Sequence, residues 1–241
     1  MEIEMTKHIH ELKVNGFAII DNIFSNEDVR NILQCIEATD TDKDTFRKSS
    51  ELFAIRQFLK EVPGVADKIF SDKIKSLLKA LFGNKYFVVK SIYFDKPQTS
   101  NWYVSYHQDL TISVDKKINV EGFGPWTVKQ NQFAVQPPVS FLENIITLRM
   151  HLDDTDENNG ALKVIPYSHT KGIYRPETID WSNEKEINCN VSKGGVMLMK
   201  PLLLHSSGRT LNNKRRRVIH VEFANKELPL GLQWAERMEV N

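Results

Sequence analysis

His107 and Asp109 stand two positions apart in the stretch YVSYHQDLTI, residues 103–112, and their side chains are of types that bind metal ions. The neighbouring Tyr, Val, Leu, Thr and Ile residues favour a β-strand. Because residues i and i+2 of a strand point to the same face, an imidazole nitrogen and a carboxylate oxygen would lie side by side. A His-x-Asp pair on a strand can equally be a hydrogen-bonded polar pair, so a metal site requires a third ligand.

His205 is the best candidate for that third ligand among the seven histidines. It ends the apolar run LMKPLLLH, where a buried imidazole needs a hydrogen-bond partner or a metal, since an unpaired buried polar group is costly. Two imidazoles and one carboxylate with open remaining positions form the facial triad of non-heme Fe(II) oxygenases. The alternative interpretation is that His205 is a core histidine with an ordinary hydrogen-bond partner.

The predicted secondary structure that must position these residues changes from mainly helical to β-rich near residue 85. Before it, GFAII predicts a strand, and Ser25 with Asp28 predicts a capped helix through VRNILQCIE. Helical spacing predicts two further helices, SELFAIRQFLKEV up to Pro63 and SDKIKSLLKALFG up to Gly83. After it, short β-rich runs are bounded by Gly, Pro, Asn or Asp. We therefore predict a mainly β protein with N-terminal α-helices: one domain over 1–241, with a helical support layer over 1–84 and a jelly-roll, cupin-like core over 85–225.

A long segment without clear periodicity occupies residues 113–140 and contains Gly122, Gly124 and the Pro137-Pro138 pair. Connections of this length in compact domains are usually lids, binding loops or disordered segments. We predict a lid over a binding site. The alternative is a surface excursion packed by its own aromatic side chains, Phe123, Trp126 and Phe133.

Three ordered motifs resemble the phytanoyl-CoA dioxygenase family of iron- and 2-oxoglutarate-dependent oxygenases. They are HQD at 107–109, ENNGALKVIPYSH at 157–169, and His205 followed eleven positions later by Arg216. The opening LKVNGFAIIDNIFSNEDV is similar to the family's N-terminal strand and helix, so the resemblance covers most of the chain. Tyr167 departs from the family pattern, which usually has glycine in this turn. The departure concerns loop geometry and leaves the ligand set intact.

The resemblance implies a double-stranded β-helix core in which His107, Asp109 and His205 hold Fe(II). It also implies that Arg216 and Ser207 bind the distal carboxylate of 2-oxoglutarate, the cosubstrate. A guanidinium suits this task because its planar fork grips both carboxylate oxygens. The implied reaction consumes O2, releases succinate and CO2, and hydroxylates a substrate. Related halogenases have a small residue in place of the carboxylate ligand, so Asp109 favours hydroxylation over halogenation.

Strand parity favours Arg216 over its two arginine neighbours. Arg216 shares a face with Val218, His220 and Glu222, whereas Arg215 and Arg217 share a face with apolar residues, Ile219, Val221 and Phe223. A polar pocket therefore favours Arg216. A solvated basic turn remains the alternative interpretation of KRRR.

The residues that bind substrate are less well marked. Thr147, Arg149 and His151 share one face of TLRMHL, which predicts either a polar pocket wall or a solvent-exposed face. Trp102 and Trp126 are further candidate pocket walls, although aromatic residues there could also belong to the core. No feature indicates a CoA thioester, so we expect a small or amphipathic metabolite.

The composition limits the other classes of partner. The 32 basic and 31 acidic side chains nearly cancel, which gives no reason to expect nucleic acid as a partner. The apolar run VMLMKPLLL is shorter than the roughly 18 residues of a membrane span, and the acidic N-terminus lacks an apolar signal region. With two cysteines, the chain is expected in the cytoplasm. Two alternative functions remain open: a cupin-like isomerase or hydrolase that uses the metal without a keto acid, and a non-catalytic ligand-binding barrel.

Overall fold

The computed structural model describes residues 2–40, 42–49, 53–98, 100, 102–129 and 132–240. Its N-terminal part contains helices and three short strands. In chain order these are α1 (Glu2–Asn15), β1 (Phe17–Ile20), α2 (Asn26–Glu37), β2 (Phe46–Lys48), β3 (Phe53–Arg56), α3 (Phe58–Glu61), α4 (Val65–Ile69) and α5 (Asp72–Phe82). The first 84 residues therefore contribute strands as well as helices.

Two of the predicted helices, α2 and α5, begin or end at the predicted residues. The Asp28 backbone N–H donates to the Ser25 hydroxyl, and the Ser25 N–H donates to the Asp28 carboxylate, which completes a capping box on α2. Helix α5 ends at Gly83, whose φ of 74° lies in the left-handed region. Glycine adopts that conformation without a steric penalty, so the helix ends there.

The prediction of one helix through SELFAIRQFLKEV is wrong. The described part of this stretch forms strand β3, which pairs with the following strand of the main sheet, and the four-residue helix α3. Gln57 separates them with a φ of 52°, which no residue of an α-helix adopts. Residues 50–52 lie outside the described residues. Helix α1 is an addition that the polar N-terminal sequence did not reveal.

The C-terminal part is built from short strands. In chain order the elements are β4 (Phe87–Lys96), β5 (Val104–His107), β6 (Ile112–Val114), β7 (Trp126–Lys129), β8 (Gln132–Val135), α6 (Val139–Leu142), β9 (Ile146–His151), β10 (Leu162–Val164), β11 (Ile187–Cys189), β12 (Val196–Met199), β13 (His205–Ser207), β14 (Arg216–Ala224) and β15 (Met238–Glu239). Two short 3-10 helices, Ser168–Lys171 and Pro176–Thr178, lie between β10 and β11.

These strands form three antiparallel sheets. The main sheet has the order β1-β12-β9-β14-β4-β3-β2, with β15 also paired to β4. The second sheet has the order β11-β10-β13-β5, and the third has the order β6-β8-β7. The predicted fold class is confirmed: the chain is mostly β with N-terminal helices and has a jelly-roll-like core.

The two faces of the main sheet differ in polarity. Ile219 and Val221 of β14 and Leu148 of β9 pack against the helices in the largest hydrophobic cluster, which includes Ile32 and Ile74. Because side chains alternate along a strand, the intervening residues of β9 and β14 point to the opposite face, into the jelly roll. That interior carries the charged and polar residues described below.

The predicted lid segment 113–140 forms regular structure over much of its described length. It contains β7, β8 and most of β6, and Phe123, Trp126 and Phe133 pack against a hydrophobic cluster that includes Val135 and Leu142. This arrangement matches the alternative interpretation, a segment packed by its own aromatic side chains. A covering role for the segment remains a prediction.

Within the described residues, none of the helices combines the length and apolarity needed to cross a bilayer.

Candidate metal centre

His107 and His205 are direct partners across two neighbouring strands of the second sheet. His107 ends β5, His205 begins β13, and the antiparallel register sets one opposite the other. Their ring centroids lie 4.2 Å apart. His205 is buried, whereas the side chain of His107 is 40% exposed, so the pair lies at an opening to solvent.

Asp109 follows β5 and turns its carboxylate toward both imidazoles. Its backbone N–H donates to the Pro201 carbonyl over 2.9 Å, which fixes the chain next to β13. Its oxygens lie 4.0 Å from His107 Nε2 and 3.8 Å from His205 Nε2. Gln108 is buried on the other side, where its amide donates to the Gly172 and Leu202 carbonyls. The structure thus brings together the three predicted ligands.

Backbone carbonyls orient the two imidazoles with Nε2 toward the centre. His107 Nδ1 lies 2.9 Å from the Ser105 carbonyl oxygen, and His205 Nδ1 lies 2.8 Å from the Leu203 carbonyl oxygen. Since a carbonyl oxygen only accepts, each Nδ1 carries the proton and each Nε2 presents a lone pair. This orientation by a hydrogen bond to the other ring nitrogen is usual for metal-binding histidines.

The protonation states also suit a cation. Burial lowers the pKa of His205 to about 4, which keeps the imidazole neutral. Burial opposes ionisation of Asp109, yet electrostatic interactions with His205, His220 and Lys90 hold its pKa below its usual range. A neutral imidazole and an ionised carboxylate are the forms that bind metal.

The donor set and its spacing fit a non-heme iron. Metal bonds to nitrogen and oxygen of about 2 Å let one ion reach two ligand atoms up to about 4 Å apart. The separations of 4.0 Å and 3.8 Å are at the upper end of that range, and the three ligand atoms all lie within 4.8 Å of one another, so the three side chains converge on one place. Two imidazoles and one carboxylate favour Fe(II) and leave positions for further ligands.

Arg216 begins β14 with its side chain inside the jelly roll, on the same face as His220 and Glu222. It is 4% exposed, and its guanidinium donates to the Gly160 carbonyl. Burial and the nearby Arg149 lower its pKa to about 9. Arg215 and Arg217 point to the opposite face and pair with acidic residues, Asp95 and Asp153.

Ser207 and Lys96 complete the surroundings of Arg216. Ser207 Oγ donates to the same Gly160 carbonyl over 3.0 Å. Lys96 is fully buried on β4 directly opposite Arg216, and its Nζ donates to the Gly208 carbonyl over 2.5 Å. A Cβ at Gly160 would lie 2.8 Å from the Gly208 carbonyl oxygen, and the φ of 85° at this position also favours glycine. Sequence reasoning missed Lys96, because only the strand register shows its place beside Arg216.

Thr147, Arg149 and His151 of β9 also point into the jelly roll and are buried. Within the described chain, Thr147 Oγ1, Arg149 Nε, His151 Nε2 and Arg216 Nε are buried without a hydrogen-bond partner. Such orphaned polar atoms are rare in proteins and cluster where a ligand or water binds. The polar face of β9 is therefore interior, which excludes the alternative of a solvent-exposed face.

A chain of buried charges, the interior charge network, adjoins the centre. It runs from Arg149 through His220 and Glu222 to Lys90, with contacts of 3.0, 3.0 and 2.9 Å. Asp109, His220 and Glu222 form a second cluster whose potential ligand atoms lie within 4.8 Å. Both ring nitrogens of His220 are already engaged, so the first cluster is the better metal site. The pairing of Lys90 with Glu222 was not visible in the sequence.

The two tryptophans occupy different places. Trp102 is half-buried just before β5, where its backbone N–H donates to Ser100 Oγ over 3.2 Å. Trp126 packs in the hydrophobic cluster of the third sheet, as the core alternative proposed.

Comparison with known proteins identifies the family. The family model described as phytanoyl-CoA dioxygenase matches residues 12–218, a span that contains the triad and Arg216. The chain belongs to the phytanoyl-CoA dioxygenase family. As expected of this family, the chain is an oxygenase-type enzyme of the iron- and 2-oxoglutarate-dependent class.

Solved structures show the fold of this phytanoyl-CoA dioxygenase family member at low sequence identity. The α-ketoglutarate-dependent epimerase SnoN from nogalamycin biosynthesis has a TM-score of 0.68 and 12% identity, covering 93% of this chain and 84% of its own. EctD from S. alaskensis, solved with 2-oxoglutarate and 5-hydroxyectoine, has a TM-score of 0.68 and 17% identity, covering 90% and 75%. AviO1 from Streptomyces viridochromogenes Tue57 has a TM-score of 0.65 and 18% identity, covering 94% and 97%. No curated protein sequence matches the chain.

Proposed function

We propose that this protein is an Fe(II)- and 2-oxoglutarate-dependent dioxygenase that hydroxylates a small or amphipathic metabolite and releases succinate and CO2. The observation that carries the proposal is the burial of Arg216 in the interior that also holds His205. A guanidinium there would be costly without an anionic partner, which 2-oxoglutarate would supply.

His107, Asp109 and His205 would hold the iron through Nε2, a carboxylate oxygen and Nε2. When bound together, iron, 2-oxoglutarate and O2 supply the oxidising chemistry, and the protein supplies placement and a dry site. The Ser105 and Leu203 carbonyls hold the imidazole rings in place, and the Pro201 carbonyl holds the backbone of Asp109. The ligand geometry therefore rests on backbone atoms.

Arg216 and Ser207 would orient the keto acid. Both side chains donate to the Gly160 carbonyl oxygen. A carboxylate oxygen of 2-oxoglutarate could accept from the same two donors. Lys96, paired in register with Arg216, adds a second buried cation beside this position. Two cations favour a dicarboxylate cosubstrate over a neutral one.

Hydroxylation is the outcome that the ligand set favours. Asp109 occupies the position that must be small for a halide to bind, which argues against halogenation. Structural neighbours include a 2-oxoglutarate-dependent epimerase and a carbocyclase, so related folds also carry other outcomes. With a substrate, incorporation of label from 18O2 into the product distinguishes hydroxylation from epimerisation or ring closure, since neither of these places an oxygen atom in the product.

Anaerobic addition of Fe(II) and 2-oxoglutarate tests the proposal. We expect a weak visible charge-transfer band, and succinate formation when O2 is admitted. His107→Ala should abolish both, whereas His10→Ala, an exposed histidine on α1, should leave both intact. A wild-type protein with neither the band nor succinate formation contradicts the proposal.

The two alternatives make different predictions in the same experiments. A cupin-like isomerase or hydrolase would bind metal without responding to 2-oxoglutarate. The interior position of Arg216 argues against it, because that enzyme would need no buried cation there. A non-catalytic barrel would purify without stoichiometric metal at the triad, which metal analysis of the isolated protein measures.

A further inference from the structure

A cavity of about 620 Å³ lies where three distant parts of the chain meet. Its walls come from the β3–α3 connection, from β4 and the third sheet, and from residues 233–236. Ile92, Val114, Phe133 and Trp234 provide apolar surface, while Arg56, Gln57 and Lys60 provide polar groups on one side. Ser113, Thr127 and Gln132 add further polar groups, so the lining combines apolar and polar surface, as a site for an amphipathic small molecule would.

Two of the cations on the polar side lack partners. Within the described part of the chain, neither the Arg56 guanidinium nor the Lys60 ammonium makes a hydrogen bond or ion pair, and Arg56 is only half-exposed. Gln57 lies between them with a φ of 52°. A non-glycine residue at positive φ costs energy that the surroundings must offset, and such residues cluster at ligand sites.

The acidic residues of the cavity do not neutralise these cations. The Asp115 carboxylate accepts from the Gln233 backbone N–H over 2.8 Å and lies 3.8 Å from Lys116 Nζ. Glu236 accepts from the Ser91 N–H and hydroxyl, and burial raises its pKa to about 7. The uncompensated charge on the polar side is therefore positive.

The cavity ends beside the metal centre. Lys90, which lines it, pairs with Glu222 over 2.9 Å, and a Glu222 carboxylate oxygen lies within 4.8 Å of one of Asp109. Thr111, two residues beyond Asp109, is also part of the wall. The Lys90–Glu222 ion pair thus connects the wall of the cavity to the surroundings of Asp109.

We propose that this cavity binds the substrate and that the substrate is an amphipathic anion, whose carboxylate or phosphate group is bound by Arg56 and Lys60. Its apolar part packs on Ile92 and Phe133, which directs the other end toward the iron. This proposal rests on the proposed function, since it takes the triad as the reacting centre.

Calorimetric titration of the Fe(II)–2-oxoglutarate protein under anaerobic conditions tests it with four octyl probes: octanoate, octyl phosphate, methyl octanoate and octylammonium. We expect octanoate or octyl phosphate to bind more tightly than the ester and the amine. Which of the two anions binds better distinguishes a carboxylate from a phosphate substrate. Equal binding of the ester or the amine, or no binding of either anion, overturns the proposal.

The variants Arg56→Gln and Lys60→Gln should each weaken anion binding about tenfold, the scale of one charge-assisted hydrogen bond. Lys185→Gln, which changes an exposed lysine that does not line the cavity, should leave binding unchanged. Unchanged anion binding in both cavity variants contradicts the assignment. All variants should keep the charge-transfer band with 2-oxoglutarate. A wild-type protein without that band would contradict the proposed function, not the assignment of the cavity.

Discussion

Arg149 Nη1 lies 3.0 Å from Nδ1 of its cross-strand partner His220, with both side chains buried inside the jelly roll. Since a guanidinium only donates, Nδ1 accepts and the proton of the neutral ring is on Nε2, which donates to Glu222 over 3.0 Å. His220 therefore joins a buried cation to a buried anion beside the metal centre.

Removing the His220 imidazole should destabilise the fold. In His220→Ala, Arg149 and Glu222 each lose a buried partner, and we expect a loss on the order of 3–5 kcal/mol in the free energy of unfolding. Urea denaturation measures it. Lys163→Ala, which breaks an exposed pair with Glu186, should cost at most about 1 kcal/mol. Similar losses in the two variants would show that the interior network contributes no more than a surface pair.

Asp109→Asn should weaken metal binding strongly, because the site loses its only negative ligand. Substitutions outside the ligand set already cost 10–100-fold, so we expect more than about 100-fold here. Calorimetric titration with Co(II) measures this. Asp67→Asn, at an exposed position on α4, is the matched control and should bind Co(II) like the wild type. Near-normal affinity in Asp109→Asn would remove this residue from the ligand set.

Arg216→Ala should weaken 2-oxoglutarate binding far more than metal binding. Loss of one partner of a buried charge pair typically costs on the order of 2–5 kcal/mol. Calorimetric titration of the Co(II)-loaded wild type and variant with 2-oxoglutarate measures this loss of binding free energy. Arg215→Ala is the control, since Arg215 pairs with Asp95 on the opposite face. Equal losses of Co(II) and 2-oxoglutarate affinity in Arg216→Ala would mean that Arg216 is structural.

Glu236 should make stability depend on pH. Burial raises the pKa of Glu236 to about 7 from an ordinary value of 4.5. As pH rises from 4.5 to 7, Glu236 loses its proton in the unfolded chain but keeps it in the folded protein. The contribution of Glu236 to the free energy of unfolding is therefore fully present below pH 4.5 and is lost as pH rises through 7. Glu236→Gln keeps an acceptor for Ser91 but cannot ionise.

We therefore expect the difference in the free energy of unfolding between Glu236→Gln and the wild type to shift in favour of the variant by on the order of 1–2 kcal/mol from pH 5 to pH 8. Urea denaturation at both pH values measures the difference. Glu227→Gln, whose carboxylate is exposed, should follow the wild type at both. A Glu236→Gln protein that follows the wild type would show that the carboxyl group ionises normally in the folded state.

Local patterns predicted the features that depend on neighbouring residues. The capping box at Ser25, the end of α5 at Gly83 and the face that Arg216 shares with His220 and Glu222 all follow from spacing within a few positions. The family motifs added the ligand triad, whose members the structure brings together.

Features that depend on distant pairing could not be predicted. The stretch with Phe53–Arg56 has apolar spacing that suits a helix, yet pairing with β4 and the positive φ of Gln57 make it a strand. Lys90 and Glu222 are 132 positions apart, and only the register of β14 with β4 brings them into contact. No sequence pattern within either strand indicates that register.

The strand pairings of the main sheet join nearly the whole chain. Phe17 of β1 pairs with Met199 of β12, and Met238 of β15 pairs with Val88 of β4. Pairings of such long sequence separation carry a large loop-closure cost before any contact is gained, which slows folding. The sheet cannot close until strands from both ends are present. During synthesis, the hydrophobic strands β4, β9 and β12 must therefore wait for partners, which makes this the stage at which the protein most needs protection from aggregation.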